Sequence, residues 1–196
     1  MKGKNKSIQG MIEESAEVKR VSVSLAPTIE KAADVVGKAL KSGNKVILAG
    51  NGGSASQASH IAAEFTGRYK LERKALPGIS LSADLSAITA IGNDYGFEHI
   101  FSRQLEGLGN EGDVFIGLST SGNSPNIIKA LSAAKKNKIK TISLIGKNGG
   151  KMKGLSDIDI IIPSANTPRI QECHLMILHI ICEIVEENMF GKGASS

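Results

Sequence analysis

Five short apolar runs, separated by stretches with helical spacing or polar loops, constrain this 196-residue chain more than any other feature. They are Lys45-Val-Ile-Leu-Ala49, Gly78-Ile-Ser-Leu-Ser82, Val114-Phe-Ile-Gly-Leu118, Thr141-Ile-Ser-Leu-Ile145 and Ile158-Asp-Ile-Ile-Ile162. Each has the length of a buried strand, and Gly50, Ser119, Gly146 and Pro163 punctuate four of their ends. Short apolar strands spaced by helices belong in a parallel sheet covered on both faces, because each parallel crossover needs a helix's worth of chain. The pattern therefore predicts an α/β protein with a doubly wound, five-stranded parallel sheet in the flavodoxin-like order 2-1-3-4-5.

The intervening segments carry helix signals. Residues 54–67 read as an alanine-rich helix with Ser54 as its cap, and residues 125–137 as a helix with Pro125 in its first turn and Ser124 before it. Two helical stretches, 7–23 and 28–42, precede the first strand; the second carries Ile29, Ala32, Val36 and Leu40 as an apolar stripe and stops at Gly43. A last helix spans 169–189 and is apolar on nearly every face between Leu175 and Val185, so the domain or other subunits must cover it. The expected organisation is one domain over 1–196, with an N-terminal helical extension at 1–42, an interface helix at 169–190 and a frayed tail after Gly191. Such terminal additions to a five-strand core point to a homo-oligomer.

Composition removes several function classes. Net charge is +5, which permits an anionic ligand without demanding nucleic acid. Aromatic residues are 4% with no Trp, too few for base-stacking platforms, so no nucleic-acid partner is expected. The basic start, Met1 to Lys6, runs into Glu13, Glu14 and Glu17 rather than an apolar leader, and the most apolar segment is interrupted by His179 and Glu183. No membrane segment is expected, and the default location is the cytoplasm. Cys173 and Cys182 lie nine positions apart in one helix, which places them about 13 Å apart along its axis and beyond disulfide reach. The basic runs 68–74 and 135–140 read as solvated faces.

Two loops carry the strongest local signal. Gly50-Asn-Gly-Gly-Ser-Ala-Ser56 follows the first strand and opens a helix; Ser119-Thr-Ser-Gly-Asn-Ser124 does the same after the third and holds four hydroxyls in six residues. Neither is a Walker or a dinucleotide motif. Glycine lets backbone N–H groups approach an anion, hydroxyls add donors, and the helix start adds partial positive charge. In the predicted order, the first and third strands are neighbours and their loops flank the crevice where such sheets bind ligands. His60 and Glu64, at i and i+4 on the helix that the first loop opens, share a face; the pair reads either as metal ligands and proton carriers or as an ordinary surface pair. The last helix adds Gln171, Glu172, His174 and His179. His179 sits in a run that equally suits a core histidine, and Gln171 lies about 12 Å from it along the axis, so spacing permits a shared site without establishing one. His99 follows the polar segment Asn93–Glu98, which reads as a loop at the crevice edge.

Taken together, Gly50-Asn-Gly-Gly-Ser-Ala, His60-Ile-Ala-Ala-Glu-Phe, Gly92-Asn-Asp-Tyr-Gly-Phe97, Ser119-Thr-Ser-Gly-Asn-Ser-Pro125 and Arg169-Ile-Gln-Glu…His179 resemble the phosphoheptose isomerases, a branch of the sugar-isomerase (SIS) fold. The resemblance runs in order from about residue 10 to residue 190. It implies conversion of sedoheptulose 7-phosphate to D-glycero-D-manno-heptose 7-phosphate, an early step toward the heptose of bacterial lipopolysaccharide. It also implies a homotetramer with active sites between subunits and one zinc per subunit, held by His60, Glu64, Gln171 and His179. Implied substrate contacts are Asn51, Gly52, Gly53, Glu64, Asn93, Asp94, Ser119, Thr120, Ser121, Ser124 and Gln171, with Glu64 and His179 catalytic. Many members carry Asp just before Arg-Ile-Gln-Glu; here the residue is Pro168, whose side chain cannot hydrogen-bond a sugar. The alternative is a non-catalytic SIS protein that binds a phosphosugar or, like one relative, a replication initiator. That role needs no His60, Glu64 and His179, and this chain has all three.

Overall fold

The structure, a computed structural model, describes residues 7–191. Both the basic start and the proposed frayed tail after Gly191 lie outside them. Helices α1 (Ile8–Val21) and α2 (Ala26–Lys41) lead into β1 (Val46–Ala49), α3 (Gly53–Thr66), β2 (Gly78–Ser80), α4 (Leu85–Tyr95) and α5 (Ser102–Leu108). Then come β3 (Val114–Ser119), α6 (Pro125–Lys136), β4 (Lys140–Ile145), β5 (Ile158–Ile161) and α7 (Thr167–Phe190). The sheet has five strands in the order β2-β1-β3-β4-β5, every neighbouring pair parallel. This is the expected fold.

Alternate strand residues feed two cores. Val46, Leu48, Ile116, Ile142 and Leu144 point to one face and are covered by α2, α3 and α7. Ile47, Ala49, Phe115 and Ile145 point to the other and pack with α5 and α6. The four predicted stripe residues of α2 are all buried. No helix among the described residues is long and apolar enough to cross a membrane.

Some expectations need correction. The polar segment Asn93–Glu98 is not a loop throughout: Asn93, Asp94 and Tyr95 belong to the last turn of α4, which Gly96 ends, and the start of α4 is capped by Asp84 accepting from the Ala87 N–H. Leu85, Ile88, Ile91 and Tyr95 recur at helical spacing there, yet α4 buries none of its residues and leaves Leu85 72% exposed. Ser54 does not cap α3, whose cap position is Gly52, and Ser124 occupies the α6 cap position without bonding the helix through its side chain. Helix α7 begins at Thr167, so Pro168 falls in its first turn, where a missing N–H costs nothing.

Helix α7 buries Ile170, Cys173, Ile177, Leu178, Ile181 and Val185 but leaves Met176, Ile180 and Ile184 half-buried along a groove that continues onto Val23 and Ala26. Both cysteines are free and buried. Burial raises both thiols, Cys182 to about 12. The histidine that α7 commits to the core is His174: it is fully buried, and neither ring nitrogen has a hydrogen-bond partner.

Candidate active site

Helices α3 and α7 pack side by side in the same direction. At their N-terminal ends Gln57 Nε2 donates to the Gln171 carbonyl at 2.6 Å, and a Cβ on Gly53 would fall 2.5 Å from Gln171 Nε2. Glycine is what lets the Gln171 amide lie on the α3 start. Two turns further along, His60 of α3 meets His179 of α7: their Nε2 atoms are 3.0 Å apart and their rings meet edge to face at 68°. Glu64, one turn beyond His60, brings Oε1 to 3.2 Å from His60 Nε2. One donor atom each from His60, Glu64 and His179 thus lies within 4.8 Å of the others.

Desolvation lowers the His179 pKa, and repulsion from His60 lowers it further, while Glu64 pulls the other way. Its imidazole is therefore neutral at pH 7, the form that accepts a proton or binds a metal. Two imidazoles and a carboxylate converging from two rigid helices are a donor set that suits zinc, with His60 exposed so that further positions stay open.

The phosphate-type loops stand where the crevice was expected. The two asparagines Asn51 and Asn126 join them by a reciprocal amide pair, Asn51 Nδ2 donating to Asn126 Oδ1 at 2.9 Å and Asn126 Nδ2 to Asn51 Oδ1 at 2.8 Å. Both polar ends of the Asn51 side chain are thereby engaged. In the second loop Ser119 Oγ accepts from the Gly122 N–H at 3.1 Å and shares a 2.8 Å hydrogen bond with Ser124 Oγ, while Ser121 Oγ accepts from the Asn123 N–H at 3.1 Å. Thr120 joins the rim, half-buried. Gly122 has φ +67°, and a Cβ there would fall 2.1 Å from the Gly149 carbonyl oxygen, so the loop is braced from behind. Neither cap residue, Gly52 or Ser124, bonds its helix through a side chain, and although Asn126 Oδ1 accepts from the Ile127 N–H at 2.9 Å in the first turn of α6, the remaining N–H groups and partial positive charge of the two helix starts stay available to an anion.

The structure thus brings together His60, Glu64 and His179 in one group, and Asn51, Gly52, Gly53, Ser119 and Ser124 in another at the crevice. Gln171 belongs to the second group, its amide on Gly53 rather than among the imidazoles. Asn93 and Asp94 are exposed on α4, Asn93 Nδ2 donating to Asp94 Oδ1 at 2.8 Å. His99 pairs with Lys129 Nζ at 3.1 Å on the opposite side of the sheet from α3 and α7.

One cluster escaped the sequence reading. Arg73, in a run read as solvated, has a side chain only 2% exposed and pairs at 2.7 Å with Glu186, 3% exposed. Tyr69 of the same run stacks on His179, ring centroids 5.6 Å apart at 28°. Composition gave no hint of this, since a guanidinium in a basic run looks the same whether its partner is water or a buried carboxylate.

The SIS domain family profile matches residues 12–146. Phosphoheptose isomerase of Helicobacter hepaticus is 57% identical over 170 residues, 87% of each chain, and that of Sulfurimonas denitrificans 49% identical over 193 residues, 97% of this chain and 99% of the other. The chain belongs to the phosphoheptose isomerase family. Solved phosphoheptose isomerases from Neisseria gonorrhoeae (39% identical, TM-score 0.86) and Francisella tularensis (38%, TM-score 0.89) each superpose on 92% of this chain, covering 97% and 96% of their own lengths. The chain is accordingly an isomerase, and its helices, loops and imidazoles can be read for what each does.

Proposed function

We propose that this chain converts sedoheptulose 7-phosphate to D-glycero-D-manno-heptose 7-phosphate through an enediol, in the cytoplasm, supplying heptose for bacterial surface glycans. The observation that carries the reading is a single helix, α3, that starts uncapped in the phosphate-type crevice and two turns later presents His60 and Glu64 to His179. One end of α3 suits the phosphate and the other suits proton transfer. An aldose–ketose exchange needs a base for the carbon proton, a carrier for the oxygen proton and a stabiliser for the developing oxyanion. Glu64 takes the carbon proton. His179, held neutral, carries the oxygen proton between neighbouring hydroxyls. His60, Glu64 and His179 would hold one zinc per subunit, and the bound ion would supply positive charge that stabilises the developing oxyanion; Gln171, expected as a fourth ligand, would have to swing its amide away from Gly53 to join them. Glu64 would be a weaker base while it held the ion.

The hydroxyls of Ser119, Thr120, Ser121 and Ser124 and the open helix starts hold the phosphate, which anchors the sugar for reaction at its other end. Because the Asn51 side chain is occupied by Asn126, the first loop meets the sugar through the backbone of Asn51, Gly52 and Gly53, with the Gln171 amide beside them. Asn93 and Asp94 face outward on an uncovered apolar helix. That arrangement supports a homotetramer in which α4 of one subunit completes the site of another. The deciding experiment incubates pure protein with sedoheptulose 7-phosphate, with and without a chelator. Aldose product that chelator suppresses supports the reading; no product under either condition overturns it in favour of a phosphosugar-binding protein.

A further inference from the structure

We infer that Glu186, Arg73 and Tyr69 form a positioning device that sets the ring of His179 and the main chain at Glu64 in one stroke; this rests on the isomerase reading above. The Glu186 carboxylate is spent entirely on the segment after α3. Its Oε1 accepts from the Tyr69 N–H at 3.1 Å and from Arg73 Nε at 2.7 Å, and its Oε2 from the N–H groups of Lys70 and Leu71 at 2.7 and 2.8 Å. These bonds hold its pKa below the ordinary carboxylate value against burial, which pushes the other way. Glu186 lies seven positions after His179 on α7, the same face two turns on, so the segment it grips is delivered beside His179. The Tyr69 ring then stacks on the imidazole, tilted by 28°.

Arg73 carries the same grip to α3. Its Nη2 donates to the Glu64 carbonyl at 2.8 Å and its Nη1 to the Phe65 carbonyl at 3.0 Å, closing the last turn of the helix that bears His60 and Glu64. Helix ends fray unless their carbonyls are occupied, and a guanidinium there also complements the helix dipole. A buried ion pair of this kind adds little net stability over apolar packing. What it does supply is fixed geometry. His179 needs it, because among the described residues nothing hydrogen-bonds its Nδ1, the contact that ordinarily orients a ligating or proton-carrying histidine. Its ring is held instead between the stacked Tyr69 ring and the His60 ring.

The test compares Tyr69→Leu, which keeps apolar volume without a flat ring, with Tyr69→Phe, which keeps the ring. For each, kcat and KM are measured with sedoheptulose 7-phosphate, zinc binding to chelator-stripped protein by calorimetry, and melting temperature. Tyr69→Leu is expected to lower kcat and weaken zinc binding by roughly 10-fold to 100-fold each, the scale for groups supporting a metal-site ligand. KM should stay within about twofold and the melting temperature near wild type, and Tyr69→Phe should restore both losses. A folded Tyr69→Leu with kcat and zinc affinity unchanged overturns the inference, as does a Tyr69→Phe equally impaired. If the wild type binds zinc but turns over no sugar, the isomerase reading fails by itself, and the zinc affinities of the two variants still decide the positioning claim.

Discussion

Lowering the pH should expose what His174 costs the fold. Its imidazole is fully buried against the sheet, and desolvation lowers its pKa to about 4, with the Ile145 backbone pulling weakly the other way, short of a hydrogen bond. The unfolded chain takes up this proton near pH 6.5 and the folded chain only near 4. Between those values the unfolded state binds more protons, so stability is complete above about pH 6.5 and falls as pH drops toward 4. The full loss is about 2.5 pKa units, or ~3 kcal/mol, of which ~2 kcal/mol has gone by pH 5. The clean comparison is His174→Leu, similar in volume and without two unmatched polar atoms, and at least as stable as wild type at pH 8. Urea unfolding followed by far-UV circular dichroism at pH 8, 6.5 and 5, at one protein concentration so that subunit association is held fixed, gives the two curves. Wild type should lose ~2 kcal/mol more than the variant between pH 8 and 5. His179, whose lowered pKa acts in the same direction, is present in both and cancels. Equal losses in the two proteins would refute the reasoning.

Glu64→Gln should cut kcat by at least roughly 100-fold, the scale of a general base, with steady-state kinetics as the check; a near-normal rate removes Glu64 from that role. Ser121→Ala and Ser124→Ala should each raise KM about tenfold or more, the loss of one hydrogen bond to a charged group, with little change in kcat; an unchanged KM in both removes the cradle. Native protein at pH 8 should react with a thiol reagent at neither cysteine, since both are buried and Cys182 is raised to about 12, whereas urea-unfolded protein should titrate two thiols.

The strands and the two glycine-serine loops were readable because each rests on local chemistry: apolar runs make strands, and small residues make helix-opening turns. The stripe of α2 was readable for the same reason. The strand order followed from the arrangement common to such doubly wound sheets. Helix α4 was missed although Leu85, Ile88, Ile91 and Tyr95 keep helical spacing, because Gly92-Asn-Asp and Gly96 look like turn chemistry. Which histidine of α7 belongs to the core depends on rotation: five positions turn the helix by about 140°, enough to send His174 to the sheet and His179 to α3. Nothing local encodes that rotation. The Gln171 amide, the Asn51–Asn126 pair and the Arg73–Glu186 pair are likewise contacts between segments far apart in the chain, which residue type alone leaves undetermined.

The paired amides of Asn51 and Asn126 tie the loop after β1 to the first turn of α6, which follows the loop after β3, so the gap between the two walls is set before any sugar arrives. An incoming molecule meets a slot of preset gauge and spends no binding energy on narrowing it. On the proposed reading, choice among sugars of different chain length would then fall to the far end of α3, where reach from an anchored phosphate to the imidazoles would decide which carbon is presented for reaction.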